Sequence, residues 1–143
     1  MSWLKEVIGT EKAIIAMCHL APLPGDPAYN TDQGMEYAIK RARTDLKALQ
    51  NGGVDAVMFS NEFSLPYMTK VRTECTAAMA RVIGQLMPEI KVPFGVNMLW
   101  DPYASLDLAA ATGACCVSAY DALSGLKPLA ELKQRIEEGW DKN

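Results

Sequence analysis

Histidine, dense basic runs and long apolar stretches are all scarce in this sequence, and each shortage removes a class of function. Lys and Arg number 14 against 17 Asp and Glu, with no basic cluster to serve as an electrostatic footprint for a polyanion. Nucleic acid is therefore not an expected partner. The longest apolar stretches are about eight residues, far below the roughly 20 that cross a bilayer, so no membrane insertion is expected. The first residues place Lys5 and Glu6 where a secretory leader would need an uninterrupted apolar core, and a cytoplasmic location is expected. The cysteines, Cys18, Cys75, Cys115 and Cys116, show no CxxC spacing. All but Cys75 lie inside apolar runs, where a free thiol packs like a small hydrophobe, so reduced structural cysteines are expected. With a single histidine, His19, and no HxH or HxxxH pair, no metal site is expected. The glycine patterns of dinucleotide and P-loop sites are missing after the first apolar run. Neither Ser60 nor Ser64 sits in the GxSxG turn of a serine hydrolase.

What is present is the composition of one ordinary globular domain. Of 143 residues, 50% are apolar and 22% charged, which excludes disorder, collagen and coiled coil. Ala13 to Cys18 is a continuous apolar run that reads as a strand buried on both faces. From Gly34 to Asn51 the residues Ile39, Ala42, Leu46 and Leu49 recur at helical spacing among Lys40, Arg41, Arg43 and Lys47, and Gly52-Gly53 closes the helix. The unit then repeats. Val54 to Ser60 predicts a second buried strand and Thr73 to Met87 a helix ended by Pro88. Pro93 to Trp100 predicts a third strand, and Ser105 to Thr112 a short helix. Ala114 to Ala119 forms a fourth apolar run, ahead of a last helix carrying Leu126, Leu129, Leu132 and Ile136.

Strands alternating with helices argue for an α/β protein with a parallel sheet, because parallel neighbours need crossover connections. On length, an open flavodoxin-like parallel sheet fits better than a closed (β/α)8 barrel, which normally takes about 250 residues. In either architecture chemistry sits at the C-terminal ends of the strands, and polar residues gather there. His19, an imidazole at a strand end, suits a proton shuttle; it also suits a loop-edge side chain that caps main chain. Glu62 precedes Phe63 and other apolar neighbours, as a general acid or base would, or as a solvated loop acid would. Asn61, Asn97 and Asp101 suit contacts to a polar ligand, and Asp101 before Pro102 equally suits a turn and helix cap. The segment Cys18 to Pro27, with its Pro-x-Pro-Gly turn, is the most distinctive loop.

Met17-Cys18-His19-Leu20-Ala21-Pro22-Leu23-Pro24-Gly25-Asp26, Leu49 to Glu62 and Pro93 to Asp101 together closely resemble the BtpA family, especially its SgcQ-like members. The likeness covers about residues 1–114. It implies a partial TIM (β/α)8 barrel of the ribulose-phosphate-binding type, with about four βα units, in place of the open sheet. It also implies His19 and Glu62 as catalytic candidates, and Asn61, Asn97 and Asp101 as substrate-binding candidates. The expected ligand is a small phosphorylated sugar-like metabolite, because SgcQ-like members are associated with sugar utilisation. Cofactor and reaction are left open. The family takes its name from a factor for photosystem I biogenesis, which implies an alternative role as a non-catalytic stability factor for a membrane complex. After Ala114 the family continues with a strand ending in Arg, where this chain has Ser118, so residues 115–143 read as a divergent tail of a truncated barrel domain. Such a truncation leaves strand edges unpaired, and self-association is expected if the chain folds. A fragment without function of its own is the third reading.

Overall fold

Main-chain groups of a short apolar segment are satisfied most economically by a neighbouring strand, and long crossovers force that neighbour to run parallel. The computed structural model, which describes residues 3–112, follows this logic. Its elements in chain order are α1 (Trp3–Val7), β1 (Ile15–His19), α2 (Gly34–Asn51), β2 (Ala56–Ser60), α3 (Thr73–Leu86), β3 (Phe94–Asn97) and α4 (Pro102–Thr112), with one 3-10 turn at Met87–Glu89. The strands form a parallel sheet in the order β1-β2-β3. Each helix between strands is thus a crossover connecting sheet neighbours.

The helices pack against one face of the sheet; on the other, Ile15 and Met17 of β1 are exposed whereas Ala56 and Ser60 of β2 are buried. Cys18, Val57, Phe59 and Val96 join the helix residues Ile39, Leu46, Met79, Ile83 and Leu108 in a single buried core. Each fully buried side chain of that size contributes about 1.5–3 kcal/mol. In α2 the buried positions are Ala38, Ile39, Ala42 and Leu46, one stripe of the helix. Its end is set by Gly53, whose φ of +80° is left-handed and favours glycine. The α2 terminus also fastens the turn that leads into β3. Gln50 donates to the Glu89 carbonyl at 3.1 Å and accepts from the Lys91 N–H at 2.6 Å. Arg43 and Lys47 meet the Glu89 carboxylate at 2.6 and 3.1 Å.

Several sequence expectations are corrected in detail. β1 is not buried on both faces: Ile15 and Met17, which alternate with buried Cys18, are 39% and 42% exposed. The helix layer covers only the Cys18 side. β3 stops at Asn97, because Ser105 and Asn61 capture the main chain of Met98 and Leu99 and turn it away. α4 starts at Pro102, three residues earlier than its apolar pattern suggests, because Asp101 caps it and proline at a first helical position sacrifices no hydrogen bond. The helix α1 was not expected at all. The fourth apolar run, the last helix, Cys115 and Cys116 lie outside the described residues.

Candidate functional site

Parallel register decides which strand-end residues meet. His19 is paired with Ser60, and Ser60 with Asn97. Side chains alternate across a strand, so these three lie on the face opposite Cys18, Phe59 and Val96, away from the helix layer. Neighbouring strands are about 5 Å apart, so the three groups form a row about 10 Å long at the C-terminal edge of the sheet. An imidazole, a hydroxyl and a carboxamide stand abreast.

The hydrogen bonds separate uncommitted side chains from structural ones. Among the described residues, neither the His19 ring nor the Asn97 amide makes a hydrogen bond, and the buried Ser60 Oγ has no partner. Asn61, one residue beyond the row, is fully engaged: its Oδ1 accepts from the Leu99 N–H at 2.7 Å and its amide donates to the Leu99 carbonyl at 3.2 Å. Asp101 is equally engaged. Its Oδ1 accepts from the N–H groups of Tyr103 and Ala104 at 3.0 and 3.1 Å, and its Oδ2 from Val71 at 2.8 Å. These two candidates hold the loops around the row, with their polar atoms turned into the protein.

Sequence reasoning missed a third such clamp. Asp26, from the Pro-x-Pro-Gly loop after β1, accepts hydrogen bonds from the Leu23 N–H at 2.6 Å and from the Ser64 hydroxyl. The single S–H of Cys75 on α3 is shared between Asp26 Oδ1 at 3.3 Å and the Pro24 carbonyl at 3.1 Å. Three chain segments are tied at one carboxylate. The local bond to Leu23 is legible in a Pro-Gly-Asp turn; the partners Ser64 and Cys75, 38 and 49 residues away, are not. Loss of solvent, and then the Asp26 charge, push the Cys75 thiol up to about 12, and burial followed by Asp45 does the same for Cys18. Both are inert packing groups at neutral pH.

Around the row the loops supply aromatic walls. The His19 and Phe63 rings form a T-shaped pair at a centroid distance of 6.2 Å, and the Arg41 guanidinium lies 4.9 Å from the Phe63 centroid. Tyr67 and Trp100 contact each other at 5.9 Å, and Trp100 is 62% exposed. Glu62 lies beside this wall, its main-chain carbonyl accepting the Tyr67 hydroxyl at 2.8 Å. Among the described residues no hydrogen bond joins Glu62 to His19. A cavity of about 340 Å³ opens beside β3, lined by Met58, Asn97, Trp100 and Asp101 among others, within the size range of small-molecule sites. No group of three or more His, Cys, Asp or Glu among the described residues is arranged to hold a metal ion. No described helix is long and apolar enough to cross a membrane.

Parallel βα repeats with polar side chains collected at the strand ends define an α/β protein of the class that places its sites on that edge. Comparison with known proteins gives the family. The chain belongs to the BtpA family, whose family model matches residues 10–125. It is 75% identical over 114 residues to the SgcQ protein of the sgc region in Escherichia coli (strain K12), a match covering 80% of this chain and 42% of that protein. It is 34% identical over 105 residues to an uncharacterized protein of Archaeoglobus fulgidus, covering 73% of this chain and 42% of that one. The photosystem I biogenesis protein BtpA of Synechocystis is 29% identical over 113 residues, covering 78% of this chain and 39% of the relative. The chain thus spans about two fifths of the length of these curated relatives. No solved structure matches it.

Proposed function

We propose that the described residues form one side of a (β/α)8 barrel mouth of the ribulose-phosphate-binding type, and that this mouth binds a small phosphorylated sugar-like metabolite. The observation that carries the reading is the placement of His19 and Asn97 at one register level, both uncommitted among the described residues, with Asn97 opening into the 340 Å³ cavity. His19 and Glu62 serve as acid and base candidates, and Asn97 orients the ligand. Asn61 and Asp101 act indirectly, holding the loops that shape the mouth. Thermal unfolding in a panel of pentose 5-phosphates and hexose 6-phosphates tests this. A ligand at 100 times its Kd stabilises by about 2.7 kcal/mol, a rise of roughly 5–10 °C, and His19→Ala and Glu62→Gln should abolish the rise. No rise in a cooperatively folded chain contradicts the reading.

The name of the Synechocystis relative supports a second reading, that of a non-catalytic assembly factor. The exposed aromatic side chains Trp100 and Tyr103, 62% and 77% exposed, give it a contact surface. Co-purification of a membrane protein from native cells, lost on Trp100→Ala and Tyr103→Ala, would favour it. Recovery of no membrane protein would count against it.

A further inference from the structure

Most polar side chains that line the cavity beside β3 are already spent within the fold. The Asp101 carboxylate accepts from Val71, Tyr103 and Ala104, and the Ser105 hydroxyl accepts from the Met98 N–H at 2.9 Å while donating to the Asp101 carbonyl at 3.0 Å. The Asn97 carboxamide is left over: it is partly exposed, lines the cavity and makes no hydrogen bond among the described residues. Much of the remaining wall is apolar, with Met58, Leu99 and Pro102 on it, and Trp100 stands at its rim. Trp100 is 62% exposed, yet it is held in place. Its main-chain N–H donates to the Met68 carbonyl at 3.1 Å, and its ring rests against Tyr67 at 5.9 Å, whose hydroxyl is fixed in turn by the Glu62 carbonyl. A large aromatic surface is thus kept open to solvent beside a free carboxamide. None of the described residues lining the cavity is Lys, Arg or His, and the Asp101 carboxylate is among them. A phosphate would find no cation there and one negative charge.

We infer that this cavity takes the closed ring of a sugar phosphate, with the C–H face of the ring on the Trp100 indole, a ring hydroxyl on Asn97 and the phosphate held outside. The inference rests on the function proposed above and deepens it by naming the substrate class, cyclic sugar phosphates in place of open-chain ones. A carboxamide offers one acceptor and two donors, which suits the hydroxyl edge of a sugar ring. An indole is a broad, rigid apolar surface, which suits the C–H face of the same ring. The apolar wall formed by Met58, Leu99 and Pro102 extends that match around the ring. An open chain presents no continuous apolar face and must freeze several torsions to lie along the wall, a cost that a closed ring has already met. At about 340 Å³ the cavity has room for one such ring.

The test titrates the full chain by calorimetry with a methyl hexopyranoside 6-phosphate, whose ring cannot open, and with the matching hexitol 6-phosphate, which has no ring form. The wild-type chain should bind the locked ring at least about tenfold more tightly. Trp100→Leu keeps apolar bulk without the aromatic face and should lose that preference by weakening the locked ring alone, whereas Trp100→Phe should retain it. The comparison within the wild-type chain needs no variant to fold. Equal affinity for the two compounds, tighter binding of the hexitol, or a preference that survives in Trp100→Leu overturns the inference while leaving the proposed function standing. Binding of other sugar phosphates without the locked ring does the same. Failure of every sugar phosphate to bind the folded wild-type chain overturns both.

Discussion

Asp101→Ala removes a carboxylate that accepts three main-chain hydrogen bonds at once. Two of them, from Tyr103 and Ala104 at 3.0 and 3.1 Å, form the N-terminal cap of α4. Losing such a cap costs about 1 kcal/mol. The third, from Val71 at 2.8 Å, ties the segment ahead of α3 to the start of α4. Asp101 is 6% exposed, so this charge-assisted bond is worth about 1.5–3 kcal/mol, and its loss strands a donor. Together the variant should lose about 3 kcal/mol, which in urea, with a slope of about 2 kcal/mol per molar, moves the midpoint down by about 1.5 M. Asp101→Asn divides the effect. Asparagine caps a helix as well as aspartate does, but it cannot accept from both sides, so its loss should be about 1–2 kcal/mol, the share belonging to Val71. Far-ultraviolet circular dichroism in urea measures both variants. A loss below about 0.5 kcal/mol for Asp101→Ala would refute the clamp, as would equal losses for the two substitutions.

Asn61→Ala should destabilise by about 2–4 kcal/mol, since it leaves both the N–H and the carbonyl of Leu99 unpaired beside a residue that is 1% exposed; denaturation of the variant at the wild-type midpoint would show the clamp to be dispensable. Cys18 and Cys75, both held up at about 12, should be about one part in 10^4 thiolate at pH 8. Mass mapping after iodoacetamide should find both unmodified in the native chain and alkylated in urea, and equal rates in the two states would contradict their burial. Glu89 is held below its ordinary value of 4.5, first by the hydrogen bonds of Arg43 and Lys47. A lowered carboxylate stabilises the fold at pH values above 4.5 and loses that contribution as pH falls through the folded value. Glu89→Gln should therefore flatten the acid side of the stability profile; parallel profiles for the two chains would mean that the ion pairs do not form in solution.

The legible parts of this fold are those written in local pattern. α2 occupies the predicted Gly34–Asn51 because one apolar stripe and a left-handed Gly53 set both its face and its end. α3 ends at Leu86, one residue before its predicted end, because Pro88 enters a 3-10 turn. β3 was over-read because Met98, Leu99 and Trp100 are apolar enough to continue a strand, and what diverts them is the pair of side chains Ser105 and Asn61, the second 38 residues away. The open face of β1 was equally hidden, since an apolar run looks the same whether one face is covered or two. At the site, the sequence pointed to His19, Asn61, Glu62, Asn97 and Asp101 by their position at strand ends. It carried no means of dividing them into side chains bonded to main chain and side chains left uncommitted. That division comes from long-range contacts. Ser60 was seen only as a serine outside a hydrolase motif, because an unpartnered hydroxyl is a property of the packed structure.

His19 is the single histidine of the chain, so its ring protons give one resolvable pair of signals in a proton–carbon spectrum. Titration of the folded chain with the sugar phosphates, followed at that imidazole, addresses the row at the strand ends directly. A saturable displacement of the His19 signals is expected, with the affinity read from its midpoint. Signals that stay fixed while a sugar phosphate binds would place the ligand elsewhere and contradict it.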